Sequence, residues 1–191
     1  MPSNETIFKI LVICLSLLWG FFESRAGVRN RRTEGKSADR GSYFWVHFST
    51  SVSSTAASIL SLIGIAPLAH HWIFAPIGLL LMIGGFLFRW NAMRVLDRYF
   101  THRVTIVNDH QLITAGPYRY LRHPAYFGQI VLMLGFGIAL TDATSVAVAV
   151  IPMLIALAVR IRIEERALLG HFGDAYARYC ARTRRLIPFV W

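Results

Sequence analysis

The stretch IFAPIGLLLMIGGFLF, residues 73–88, carries no charge over sixteen consecutive positions. With its flanks it forms an apolar run from Trp72 to Trp90. A helix needs about 20 apolar residues to cross about 30 Å of hydrocarbon. Four further runs flank it, at 7–22, 43–66, 125–140 and 143–161. None alternates apolar and polar residues with period two, so helices rather than barrel strands are expected. The chain as a whole is 55% hydrophobic and only 16% charged over 191 residues. An ordinary soluble domain is about 45–50% apolar and about 25% charged. A soluble fold of this length would have too little polar surface to cover such a core. The expectation is therefore one all-α membrane domain, residues 1–191, with five transmembrane helices at the runs above. Segments 91–124 and 162–191 are expected at the cytoplasmic side. No clean small-x-small cleavage site follows the first run, so it reads as a span rather than a signal peptide.

The charges agree with this count. The twenty Lys and Arg residues fall into four blocks. Lys9 stands alone, and the others lie at 25–40, 89–122 and 160–185. The turns after the second and fourth runs, at 69–71 and 141–142, hold none. Cytoplasmic loops carry the excess of Lys and Arg. Five spans place all three large blocks on one side, with the N-terminus outside and the C-terminus in the cytoplasm. The net charge of +10 then reflects topology and anionic headgroups. No nucleic-acid partner is expected. The bias of 18 Arg to 2 Lys points to a GC-rich bacterial source and thus to a bacterial cell membrane. Cys14 and Cys180 form neither a metal spacing nor a disulfide framework, and His47, His70 and His71 read as structural, so no metal is expected. The hydroxyl-rich stretch Ser49–Ser61 is expected to let helices pack closely.

Chemistry concentrates in two places. The first is HQLITAGPYRYLRHPAYFG, residues 110–128, where a simple connector would need no such density of aromatic and basic side chains. Gly116-Pro117 marks a turn, and Pro124 suits the first turn of the fourth helix. Irregular backbone beside a bilayer is tolerated where it lines a cavity. The second is Arg160-Ile161-Arg162-Ile163-Glu164-Glu165-Arg166, at the end of the fifth run. Arg160 and Glu164, four apart, share one helical face, and Glu165 points about 100° away from Glu164. The stretch 168–179 that follows is amphipathic and is expected at the interface.

Together these two elements resemble the isoprenylcysteine carboxyl methyltransferase family, with the related phospholipid methyltransferases. The resemblance runs from about Tyr99 to Pro188 and rests on RHPxYxG at 122–128 and the paired glutamates of EERALLGHFGDAYARY. It implies a membrane enzyme that uses S-adenosylmethionine. It implies that His110, Gln111, Leu112 and Ile113 hold the cofactor. Tyr118, His123, Pro124, Ala125 and Tyr126 continue that site, and Glu164 closes it. It implies further that Arg160 faces the acceptor, with Arg160, Glu165 and Arg122 as the expected catalytic set. Where the family has more acidic residues, Ile161-Arg162-Ile163 stands here, so Glu164 and Glu165 both remain candidates for the cofactor contact.

The residue types suit that chemistry. A sulfonium is favoured over a tyrosine face by about 0.5–2 kcal/mol. Methyl transfer is a displacement at carbon, helped mostly by alignment and exclusion of water. A carboxylate acceptor is already ionised, and Arg160 can hold it through two parallel hydrogen bonds. An amine or phenol would need a base, for which His123 or a glutamate is available. The expected partners are a lipophilic or prenylated substrate and membrane lipids. The alternatives are a phospholipid amine N-methyltransferase, an NADPH-dependent membrane reductase of the steroid 5-alpha type, and a non-enzymatic scaffold.

Overall fold

Glycine, proline and one aspartate punctuate the chain. A computed structural model describes residues 4–29, 35–37, 41–100, 105–107 and 111–186. Six helices follow in order: α1 (Asn4–Arg29), α2 (Ser42–Ile63), α3 (His71–Leu96), α4 (Pro124–Ala139), α5 (Ala143–Phe172) and α6 (Asp174–Arg182). Short 3-10 turns occupy Asp97–Tyr99 and Gly116–Arg119. Gly64 ends α2 in the left-handed conformation that a glycine adopts without steric penalty, and its N–H returns to the Leu60 carbonyl. Pro124 opens α4. At the start of α5, Asp142 accepts from the Ser145 amide.

Among the described residues four helices are long and apolar enough to cross a membrane, and α4 is a shorter apolar helix of 16 residues. It packs closely against α3. It runs antiparallel to α3 along a seam of glycines. A Cβ on Gly85 would lie 2.5 Å from the Leu132 amide, and one on Gly78 would lie 2.3 Å from the Ala139 amide. On the other side of the seam, a Cβ on Gly128 would lie 2.7 Å from the Arg89 amide. Only hydrogen fits at these contacts, which is how membrane helices approach closely. The end of α4 then meets the α2–α3 turn: Leu68 donates to the Thr141 carbonyl and Ala143 to that of Ala66. The buried Asp142 carboxylate also accepts from Ala66 and from the Thr144 and Ser145 hydroxyls.

The core lies between α4 and α5, around Phe136, Met133, Leu140, Met153 and Leu157. The outside is apolar as well; Leu80 is 69% exposed and Trp72 68%. A polar core with an apolar coat is not what is seen; both are apolar, as a bilayer requires and water does not. The protein is a multi-pass integral membrane protein with an essentially all-α fold.

Several details depart from expectation. Helices α1, α3 and α5 continue to Arg29, Leu96 and Phe172, past the apolar limits at 22, 90 and 161. In α5 the helix runs on until Gly173, which turns the chain at φ 52°. The connector expected from 91 therefore begins as helix, and Arg89 sits inside α3. Lys9 is likewise inside α1; it is buried, pairs with Glu5 at 2.9 Å and donates to the Ser61 carbonyl. Two three-residue strands also form, β1 (Gly35–Ser37) and β2 (Thr105–Val107), antiparallel with Lys36 opposite Ile106. The hydroxyls of α2 divide their roles. Ser61 donates to Leu140 and Ala57 accepts from Ser145, locking α2 to its neighbours, while Thr50 and Ser54 face a cavity.

Candidate active site

Pro124 fixes the start of α4 and makes His123 its N-cap position, yet the imidazole caps nothing there. It turns toward the end of α5 instead and is buried between the two glutamates. Its Nδ1 lies 3.9 Å from Glu164 Oε2, and its Nε2 lies 3.4 Å from Glu165 Oε1. One turn further along α4, the Tyr126 ring stacks on His123 with centroids 5.6 Å apart. The Tyr126 hydroxyl donates to Glu164 Oε2 at 2.7 Å and accepts from Arg160 Nε at 2.7 Å. Arg160 is buried, and its Nη1 donates to Ser42 Oγ at 3.1 Å. The i, i+4 pair on α5 is thus bridged by one phenol from α4 and anchored to the start of α2.

Glu165 faces a different set. Arg185 reaches it twice, at 2.8 and 3.1 Å, and Arg122 lies at 3.1 Å. The backbone reinforces this clamp: Arg122 and His123 donate to the Arg184 and Arg185 carbonyls, and Arg184 donates back to Tyr120. Tyr179 of α6 donates to the Tyr118 carbonyl at 2.7 Å. The tail after α5 is therefore stitched to the irregular segment before α4. Tyr118 is buried there; burial pushes its phenol well up, and the Glu164 carboxylate adds to the effect. Its proton stays on at neutral pH.

A cavity of about 320 Å³ opens on the other side of Tyr126 and Arg160. Arg89 and Gln129 also line it, with Trp19 of α1 and His47 and Thr50 of α2. Arg89 donates to the Ala125 carbonyl at 3.0 Å, which ties α3 to the first turn of α4. Tyr126 and Arg160 form a wall between this cavity and Glu164, which does not line it. The Glu164 side chain is 29% exposed, against 13% for Glu165. Among the described residues no group of three metal-ligating side chains gathers.

Of the residues expected from sequence, His123, Tyr126, Glu164 and Arg160 meet directly. Tyr118 is near enough to feel Glu164, and Pro124 and Ala125 are buried in the same turn. Arg122 and Glu165 pair with one another, away from the cavity. Gln111 is exposed, Leu112 and Ile113 are half-buried, and Leu112 faces α6. His110 and Pro188 lie outside the described residues. The sequence reading missed Ser42, Arg89, Gln129 and Arg185. One signal was available for Arg89: with Gly78 and Gly85 it repeats at 7 and then 4 residues, the same face of α3.

These features define a membrane-embedded helical bundle with a buried polar cluster at one end, backed by a cavity within the membrane-spanning part. Residues 77–170 match the model of the isoprenylcysteine carboxyl methyltransferase family. A protein-S-isoprenylcysteine O-methyltransferase B from Arabidopsis thaliana is 33% identical over 125 residues, 64% of each chain. The Schizosaccharomyces pombe protein-S-isoprenylcysteine O-methyltransferase is 33% identical over 112 residues, 58% of this chain and 47% of that one. A solved structure of the eukaryotic intramembrane Ras methyltransferase ICMT superposes with a TM-score of 0.66 at 28% identity, covering 73% of this chain and 52% of that chain. The stretch 77–170 belongs to the isoprenylcysteine carboxyl methyltransferase family. The aligned stretch spans less than two thirds of these relatives. The family match takes in the polar cluster and leaves out α1 and α2, which complete the cavity.

Proposed function

We propose that this chain is a membrane methyltransferase that esterifies the carboxylate of a prenylated cysteine, or of a comparable lipophilic acid, with S-adenosylmethionine as donor. One observation carries the reading: the Tyr126 hydroxyl joins Arg160, which lines the cavity, to Glu164, which does not. Donor and acceptor compartments then share a wall only one side chain thick.

The residues fit the donor. Glu164 offers an accessible carboxylate for an ammonium or ribose hydroxyls, and Tyr118 and Tyr126 offer phenols and ring faces beside a sulfonium. With His110–Ile113, His123, Pro124 and Ala125, they make up the proposed donor site. Bound there, the sulfonium supplies an electrophilic methyl group. Arg160 holds the acceptor carboxylate on the cavity side, and its Nε stays fixed by Tyr126. That carboxylate is already ionised, so no side chain has to remove a proton. Buried His123 and the apolar surroundings exclude water from the transfer. Glu165 and Arg122 act by position: with Arg185 they hold the tail against the donor site.

The lipophilic acceptor enters laterally past α1, which borders the cavity. The basic end of the bundle faces the cytoplasm, by the distribution of Lys and Arg. The arginine bias is what favours a bacterial cell membrane; the relatives above are eukaryotic, among them a plant and a yeast protein. The test is incubation of the purified chain with methyl-labelled S-adenosylmethionine and N-acetyl-S-farnesylcysteine, beside a total lipid extract. Label released from the prenylcysteine by mild base is expected. Label found only on phospholipid amines, or no transfer at all, would refute the acceptor or the activity respectively.

A further inference from the structure

A second hollow, of about 760 Å³, lies between the irregular segment before α4 and helix α6. Its α6 wall presents Arg178 and Arg182, and Arg119 stands on the opposite wall. Thr114 and Thr183 add hydroxyls. Among the described residues, Leu112 lines it, none of Glu164, His123 or Tyr126 does, and no carboxylate does. Among the described residues, none of the three arginines takes an acidic partner. Like charges four apart on a helix, as at 178 and 182, repel one another. The walls are nonetheless fixed in place, because Tyr179 and the 120–122 to 184–185 pairing join them. Such a preformed concentration of guanidinium groups is built for an oxyanion.

Depth in the membrane indicates its source. Tyr120, 64% exposed, lies on the groove wall four residues before Pro124, where α4 enters the apolar region. Exposed tyrosine beside arginine is the pattern of the headgroup layer. We propose that this groove binds the phosphate of an anionic phospholipid, so that a lipid headgroup anchors α6 beside the donor site. The groove shares Leu112 with the proposed donor segment but takes in none of the buried polar cluster, and the proposal does not rest on the methyltransferase reading.

The full chain in neutral detergent is titrated with dioctanoyl phosphatidylglycerol, dioctanoyl phosphatidylcholine and inorganic phosphate, and thermal stabilisation is followed. Phosphatidylglycerol is expected to half-saturate at a concentration at least tenfold below the other two. Each guanidinium contributes about fivefold near a charged surface. The R178Q/R182Q variant is therefore expected to weaken phosphatidylglycerol about five- to twenty-five-fold and to leave phosphatidylcholine unchanged. R119Q, on the other wall, is expected to shift it in the same direction without touching α6. Saturating S-adenosylmethionine is expected to leave the lipid titration in place. Equal response to both lipids, equal response to phosphate, unaltered titrations in both variants, or abolition by S-adenosylmethionine would each overturn the proposal.

Discussion

Substituting Tyr126→Phe removes one oxygen and keeps the ring, so the stack on His123 survives. Two charge-assisted hydrogen bonds go with that oxygen, each at 2.7 Å. Such bonds contribute about 1.5–3 kcal/mol each. Glu164 is partly exposed and regains water, so its share is discounted. Arg160 is only 4% exposed, and its Nε would be left buried without this partner. A net loss of about 2–3 kcal/mol in the placement of Arg160 follows, which corresponds to about 30- to 160-fold in kcat/KM. The assay is methyl transfer to a prenylcysteine under single-turnover conditions, with thermal midpoints measured in parallel. Because the ring still fills its space, donor binding should fall much less than the transfer rate. A variant that turns over at the wild-type rate would refute the idea that the Tyr126 hydroxyl holds Arg160 in place.

Gly128→Ala would push a methyl group to within 2.7 Å of the Arg89 amide and 2.8 Å of the Gly85 carbonyl; overpacking of about 1–3 kcal/mol should lower the midpoint of thermal unfolding in detergent. At Asp142, burial raises the carboxyl pKa, but bonds from Thr144, Ala66 and Ser145 outweigh it and hold the group below its usual 3.8. A depressed folded pKa contributes stability above the ordinary value and loses it as pH falls, so midpoints should drop below about pH 4 and Asp142→Asn should flatten that dependence. Glu165→Gln should loosen the tail by about 1–2 kcal/mol after allowance for the partly exposed Arg185. Faster limited proteolysis between α6 and the chain end would register it.

Much of the fold was legible because a bilayer imposes a coarse code. Charge-free runs located the apolar helices, four of them long enough to cross a membrane among the described residues and one shorter. The ends of the helices were not legible, since a helix that leaves hydrocarbon keeps its hydrogen bonds until a residue such as Gly173 breaks them. The glycine seam escaped notice because Gly78, Gly85, Gly128 and Gly135 have meaning only when two helices are set side by side. In the candidate site, Arg160 and Glu164 could be paired from their spacing, and the motif around His123 and Tyr126 from the family resemblance. The division between Glu164 and Glu165 could not, because it depends on Arg185, twenty residues away and brought back by the turn at Gly173. Ser42 and Arg89 act across the bundle, and no local pattern announces such a partner.

In the proposed enzyme, the segment before α4 and the end of α5 form one site for the methyl donor. Calorimetric titration of S-adenosylmethionine into the wild type, Glu164→Ala and His123→Ala measures it directly. The account predicts at least a tenfold loss of affinity in each variant, with thermal midpoints that still report a folded bundle. Wild-type affinity in both would contradict it.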